Sequence, residues 1–348
     1  MHISNFIGWD IGGAHLKVAN INSDGKIMFV EQHATPLWKG LATLEKAFIS
    51  IIEKISIKNK LHSLTMTAEL TDIFRDRKEG VNSIINICHN ILGKNITFYT
   101  KDYGLKKINI NDSDFNQIAS SNWHASSYYT AKLVKSGLFI DVGSTTTDII
   151  PFYDHKICAR GSNDQTRLRF DELVYTGVIR TPIMALTSKA MFNGKLQNIV
   201  NEHFATTADI YRILGYLEDS DDLMDTSDGK DKTISSSICR LARVLGTDSV
   251  LYKNKNHWYD LAEYFHKVQL EILTNSIETV LNTLPNKDCK LVSAGVGRFL
   301  VKIIAEKLGI PLIEFSELFD CDKKSQHNSN ICAPAIAIAQ LSRLSKIK

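Results

Sequence analysis

At 348 residues the chain is too long for one small core, and domain sizes point to two lobes. Hydrophobic residues at 44% and charged ones at 23% are the balance of a soluble globular protein, and no apolar run reaches the roughly 18 residues that read as a membrane span. A net charge of +3 excludes a dedicated nucleic-acid surface, which needs clustered Lys and Arg; Lys106 and Lys107 are only a short solvated pair.

The opening MHISNFIGWD enters a strand-like run with no basic n-region, apolar h-region or small-residue cleavage site, so a cytoplasmic location is expected. FIGWDIGGAHLKVANINSDGKIMFVEQHA reads as strand, glycine turn, strand, Asp24–Gly25 turn, strand. A helix is predicted from about Leu41 to Ile57, then a strand near Leu64–Thr67, a helix near Glu79–Leu92 and a strand near Ile96–Tyr99. From residue 138, LFIDVGSTTTDIIPFYDHKICARG repeats the first pattern, with Asp141 standing where Asp10 stood. Residues from about 162 to 285 read as mainly helical, and the polar EDSDDLMDTSDGKDK within them as a surface loop unable to bury apolar area. α/β character returns in KLVSAGVGRFL and LGIPLIEF, and ICAPAIAIAQLSRL makes a final helix with a small-residue face. The expected division is a first lobe over 1–136 and a second over 137–348 carrying the helical insertion, with the helix at 332–346 packing back on the first lobe. Cys88, Cys158, Cys239, Cys289, Cys321 and Cys332 include no CxxC and read as reduced, mostly buried thiols; Cys321, His327 and Cys332 lack the fourth ligand of a zinc site.

Three glycine motifs carry the chemistry. In Asp10-Ile11-Gly12-Gly13-Ala14-His15-Leu16-Lys17, Gly12 and Gly13 let consecutive N–H groups form an anion-binding nest. Asp10 supplies a carboxylate for hydrated Mg²⁺, the one cofactor expected, and Lys17 is a candidate catalytic cation. In the second copy Gly143 precedes the hydroxyl run Ser144, Thr145, Thr146 and Thr147, donors to phosphate oxygens, and Asp141 is the second metal anchor. Alone, each loop reads equally well as a plain hairpin; the duplication favours a Mg²⁺-bound diphosphate or triphosphate held between the two. The third motif places Gly295, Gly297 and Arg298 between a strand and a helix, where the helix start can meet an anion or a ring. It is neither a complete dinucleotide fingerprint nor a Walker A loop.

In this order the motifs resemble the phosphate-1, phosphate-2 and adenosine motifs of the actin/hexokinase/Hsp70 superfold, which implies two RNase-H-like lobes with a helical insertion in the second. MTAELTDIFRDRKEG, SNWHAS, ELVYTGVIRTP, HFATTADIYRILG and CAPAIAIAQ, with the three motifs, further resemble the methanofuran-biosynthesis synthase family, hydantoinase/oxoprolinase-like proteins of tetrahydromethanopterin-linked one-carbon transfer, over about residues 5–342. The resemblance implies a transferase that joins an aminomethylfuran-methyl diphosphate to the phenol oxygen of γ-glutamyltyramine or a tyrosine analogue, releasing diphosphate. Its partners are then small molecules, with no nucleic acid or membrane, and self-association as a homo-oligomer stays open.

That chemistry needs a base for the phenol, whose unperturbed pKa is about 10. Glu69 and Asp72 follow a predicted strand end and are the candidates, Glu69 first; the alternative is that Thr67 or Thr71 caps a helix with the two acids on its first turn. Arg75 and Arg77 read either as phosphate contacts or as a solvated face. Arg180 is a candidate clamp for a phosphate or the glutamyl carboxylate, or else a structural ion pair. Trp123 is a candidate ring contact, or core. Asp221, Asp222 and Asp225 match the aspartate-rich diphosphate motif of prenyl-transfer enzymes but sit in loop-like sequence. Both phosphate loops suit ATP equally well, so an ATP-dependent kinase or hydrolase, or a nucleotide-switched binding protein, stays open on the residues alone.

Overall fold

The structure is a computed structural model that describes residues 5–57, 60–108, 115–252, 254–285 and 288–347. The chain divides into two compact units: Met1–Phe139 with Phe152–Cys158 and Ile313–Lys348, and Ile140–Pro151 with Ala159–Leu312.

In chain order the first unit builds β1 (Asn5–Ile11), β2 (His15–Asn22), β3 (Ile27–Ala34), α1 (Ala42–Lys54), β4 (Leu61–Met66), α2 (Arg77–Leu92), β5 (Ile96–Thr100), β6 (Gly104–Lys106), α3 (Phe115–Ile118) and α4 (Asn122–Leu133). The division between units falls within β7 (Gly137–Val142) and β8 (Thr147–Tyr153), and β9 (Lys156–Ile157) follows. The second unit continues with α5 (Asp164–Arg169), β10 (Leu173–Val174), α6 (Ile183–Leu186), β11 (Lys189–Phe192), β12 (Lys195–Asn198), α7 (Thr207–Leu214), α8 (Ile234–Val244), α9 (Asn256–Leu281), β13 (Lys290–Ala294), α10 (Arg298–Leu308) and the start of β14 (Leu312–Glu314). The chain then returns to the first unit with α11 (Lys323–Ile331) and α12 (Ala333–Ile347).

One sheet has the order β3-β2-β1-β4-β5-β6, antiparallel across β1–β2 and β2–β3 and parallel across β1–β4 and β4–β5. Alternation along β1 sends Ile7, Trp9 and Ile11 to one face, where they join the core with Phe48 and Ile84. Helix α1 meets them because Leu44, Ala47, Phe48 and Ile51 recur at helical spacing on one buried stripe. The other face of β1 carries Phe6, Gly8 and Asp10. A Cβ on Gly8 would lie 2.0 Å from the Ala335 carbonyl oxygen and 2.6 Å from the Ala339 nitrogen, so the small-residue helix α12 rests directly on the strand. The second sheet runs β10-β8-β7-β13-β14, with β9 paired to β8. No helix of the described residues is long and apolar enough to cross a membrane.

The first sheet also holds a buried imidazole. Trp9 Nε1–H donates to His62 Nδ1 at 3.1 Å, and His62 Nε2 lies 3.2 Å from the Ile57 carbonyl oxygen. The ring therefore serves as the neutral Nε2–H tautomer. Burial lowers its pKa, with the Ile57 carbonyl opposing and Lys60 adding to the decrease. The sign follows: a depressed imidazole pKa gives stability that is present above the unfolded value of about 6.5 and is lost as pH falls through the folded value. We expect the melting temperature to drop as pH is lowered from about 7 toward 5, and His62→Gln to flatten that dependence. An identical slope in wild type and variant would remove His62 from the effect.

Two elements differ from the sequence reading. The stretch read as helical contains a hairpin, β11–β12, because Asn193 and Gly194 both take positive φ (48° and 74°) and supply the two-residue turn that hairpins favour. The acidic stretch is irregular and partly exposed, as at Glu218, Asp219, Ser220 and Asp225, yet it is not wholly solvated. Asp222 binds Arg212 at 2.5 Å and lies 3.6 Å from Lys232, Asp228 binds Arg240 at 3.1 Å and Arg243 at 2.9 Å, and Met224 is buried. Ion pairs to α7 and α8 thus do what apolar burial alone could not. Cys88, Cys289 and Cys332 are buried, Cys239 and Cys321 half-buried and Cys158 exposed.

Candidate active site

In the first unit Asp10 ends β1, 3% exposed, and stands opposite Lys17 on β2 and Thr65 on β4. Residues directly opposite in an antiparallel pair share a face, so Asp10 and Lys17 project to the same side. Gly12 N–H donates to the His15 carbonyl at 2.9 Å and closes the turn between them. Where β4 ends, Thr67 N–H donates to the Ile11 carbonyl at 2.9 Å, and the chain makes a 3₁₀ turn at Ala68–Leu70. Thr71 Oγ1 would be 3.1 Å from a Cβ on Gly13 and Thr67 Oγ1 3.9 Å from one on Gly12. The segment 67–72 therefore lies against the glycine turn.

Within that segment the two candidate bases part company. Glu69 is 1% exposed and accepts a hydrogen bond from Ser120 Oγ at 2.9 Å, whereas Asp72 is exposed. A general base must touch the proton it takes, so the order of preference reverses, with Asp72 the accessible acid and Glu69 a buried one. The capping alternative belongs elsewhere: α2 starts at Arg77, and its N-cap Asp76 accepts from Glu79 N–H at 2.9 Å while Glu79 accepts from Arg75 N–H at 2.9 Å. Arg75 is exposed beside Asp76 at 3.1 Å. Trp123, in the first turn of α4, is 3% exposed and meets His124 edge-on at 5.3 Å, which makes it part of the packing. Next to it His124 Nδ1 lies 2.9 Å from the Tyr99 hydroxyl, a pairing the sequence does not signal, and burial pushes the Tyr99 phenol up, so it stays neutral.

In the second unit Asp141 ends a buried strand, and Gly143 N–H donates to the Thr146 carbonyl at 2.9 Å, closing the second turn. Ser144, Thr145 and Thr146 are half-buried, while Thr147 is fully buried and donates to the Thr176 carbonyl at 2.7 Å. The segment 177–180 is laid over this loop: Val178 N–H donates to Gly143, and Ile179 and Arg180 N–H donate to Ser144. Contact is so close that a Cβ on Gly177 would lie 2.5 Å from the Thr145 nitrogen. Arg180 itself is exposed, with Nη1 3.4 Å from Thr145 Oγ1. Behind the loop, buried Gln269 donates to Thr176 Oγ1 and the Gly177 carbonyl, both at 2.9 Å, and accepts from the Tyr211 hydroxyl at 2.6 Å. Gln269 lies far along the chain and carries no motif, so only the fold finds it.

The third motif meets the second. Gly295 has φ +85°, and a Cβ there would lie 2.2 Å from the Val142 carbonyl oxygen and 2.4 Å from Asp141 Oδ1. Gly297 N–H donates to the Val142 carbonyl at 2.8 Å, and half-buried Arg298 opens α10. Asp222, in the aspartate-rich stretch, is committed to Arg212 and Lys232. Among the described residues no three or more His, Cys, Asp or Glu side chains gather as a metal cage. Asp10 and Asp141 each offer a hard oxygen donor of the kind a hydrated divalent ion takes.

Two α/β units, each carrying an aspartate near a strand end before a glycine turn, with a third glycine turn packed on the second aspartate, define the fold of the actin/hexokinase/Hsp70 class. Solved structures agree at the level of fold: acetone carboxylase in its nucleotide-free form (TM-score 0.61, 10% identity, 97% of this chain and 70% of that one) and a ROK family glucokinase from Streptomyces griseus (TM-score 0.51, 12% identity, 98% and 99%). Residues 60–342 match the hydantoinase/oxoprolinase family. The chain is 32% identical over 339 residues, 96% of each chain, to the (4-{4-[2-(γ-L-glutamylamino)ethyl]phenoxymethyl}furan-2-yl)methanamine synthase of Methanocaldococcus jannaschii. It is 31% identical over 175 residues to the Methanococcus vannielii protein of the same name, covering 50% of this chain and 77% of that one. The chain belongs to the hydantoinase/oxoprolinase family and, within it, to the family of these methanofuran-biosynthesis synthases.

Proposed function

We propose that the protein couples an aminomethylfuran-methyl diphosphate to the phenol oxygen of γ-glutamyltyramine. The product in the relatives' name is an aryl ether of that phenol with a furanylmethyl carbon. The new bond joins the phenol oxygen to the furanylmethyl carbon, the carbon–oxygen bond to diphosphate breaks, and the phenol proton leaves to a base. Support from the structure comes chiefly from the segment 67–72, in which Thr71 lies against Gly13 and the next residue, Asp72, is exposed.

Asp10 and Asp141 are the carboxylates proposed for Mg²⁺, which when bound offsets the charge gathering on the leaving diphosphate. The backbone N–H of Gly13, the hydroxyls of Ser144, Thr145 and Thr146, and the Arg180 guanidinium are proposed as donors to its oxygens, with Gly12 and Gly143 shaping the two turns. Lys17, on the face of Asp10, adds positive charge there. Arg298, at the start of α10, is proposed to contact a substrate anion. Asp72 accepts the phenol proton, and no nucleotide is consumed.

Mass spectrometry with the furan diphosphate and γ-glutamyltyramine, without ATP, should show one ether and one diphosphate per turnover. Asp72→Asn should slow a single turnover by about 10²–10⁴-fold, the usual worth of a general base, with the melting temperature unchanged because the side chain is exposed. An absolute need for ATP would point to a kinase or hydrolase instead, and absence of ether would overturn the reading.

A further inference from the structure

We propose that Ser120 and Glu69 form a buried strut whose task is to position the Gly12–Gly13 phosphate turn; the inference rests on the phosphate reading above. Five non-glycine residues among those described have positive φ: Ser120, Asp154, His155, Asp171 and Asn193. Four are Asp, Asn or His, the types that visit the left-handed region most readily. Ser120, at φ 46°, is not, and it is 3% exposed. A strained backbone of this kind persists only where its surroundings over-determine it, and the strain points to a task.

The surroundings name the task. Ser120 Oγ donates to Glu69 Oε1 at 2.9 Å. The next residue fastens the same turn to the end of β4: Ser121 Oγ lies 2.9 Å from Thr65 Oγ1, and Ser121 N–H donates to the Met66 carbonyl at 3.3 Å. From the other side α2 presses on Glu69, since a Cβ on Gly80 would lie 2.7 Å from the Glu69 carbonyl oxygen and 2.8 Å from its Cα. Glu69 is thus clamped between α2 and Ser120, and the residues that flank its turn, Thr67 and Thr71, are those that touch Gly12 and Gly13. A packing role alone gives no reason for a carboxyl here, because burying one is unfavourable unless it is hydrogen-bonded. Both residues are positioning residues: their effect on substrate passes through the turn.

The test separates position from stability. Ser120→Gly takes the donor from Glu69 but relieves the backbone, so its melting temperature should fall less than that of Ser120→Ala. Binding of Mg²⁺ with inorganic diphosphate, read by calorimetry, should nonetheless weaken about tenfold, the equilibrium worth of one hydrogen bond. Ser120→Ala should weaken it similarly with a lower melting temperature. Glu69→Gln keeps an oxygen that accepts from Ser120 and should retain most of the affinity that Glu69→Ala loses. In steady state the KM for the diphosphate substrate should rise while that for the phenol stays put. Wild-type diphosphate affinity in Ser120→Gly overturns the strut. Failure of the wild-type protein itself to bind Mg²⁺–diphosphate overturns the phosphate reading together with the strut.

Discussion

Asn in place of either Asp10 or Asp141 should abolish ether formation and leave the protein folded. The amide keeps the shape of the carboxyl but not its charge, and a hydrated divalent ion depends on that charge. Both side chains sit at strand ends, beside turns whose conformation is set by backbone hydrogen bonds, Gly12 to His15 and Gly143 to Thr146. Melting temperatures should therefore stay within a few degrees of the wild type. Loss of a preorganised charge-stabilising group costs about 10²–10³-fold in turnover, and each variant should lose at least that. Chelation by EDTA should stop the wild-type reaction and Mg²⁺ should restore it. Full activity in both variants would take the two aspartates out of metal binding.

Gly295→Ala should be the most damaging single methyl in the second unit. Two effects add. At φ +85° an L side chain is strained by about 1–2 kcal/mol. The new Cβ would also stand 2.2 Å from the Val142 carbonyl oxygen and 2.4 Å from Asp141 Oδ1, and such overpacking costs a further 1–3 kcal/mol or so. Together they predict a fall of roughly 4–20 °C in melting temperature, at about 2–4 °C per kcal/mol. Relief of the clash moves Asp141, so activity should fall in the fraction that remains folded. Gly309 is the control: it has φ +66° with nothing within 4 Å of a Cβ, so Gly309→Ala should show the backbone effect alone and normal turnover. Normal activity in Gly295→Ala would mean that the third motif does not hold Asp141 in place.

The features most legible in the sequence were those written in local pattern. Both strand–turn–strand units could be read because alternation and glycine turns are short-range signals, and the helix predicted near Glu79–Leu92 is found at Arg77–Leu92. Its start is signalled by Asp76 and Glu79, three apart, a capping pattern that competes with the acids nearer the strand. Whether Glu69 or Asp72 meets solvent was not legible, because it depends on Ser120, fifty-one positions away, and on Gly80 of a helix packed behind. The fate of the acidic stretch was hidden for a similar reason: arginines on α7 and α8 pair with it, and charge pairing over such separations leaves no periodicity. Asn193–Gly194 is a hairpin signal that the helical reading of 162–285 did not use.

The bed of α12 on β1 has a consequence for how the protein is made. Gly8 is covered by Ala335 and Ala339, so the face of the sheet that carries Phe6 is sealed by a helix synthesised roughly 320 residues after the strand it covers. On a ribosome adding about 5–20 residues per second, that face waits roughly 15–60 s for its lid. Throughout that interval the nascent first unit leaves this face, with Phe6 and Ile21 on it, uncovered and open to the chaperones that hold unfinished chains.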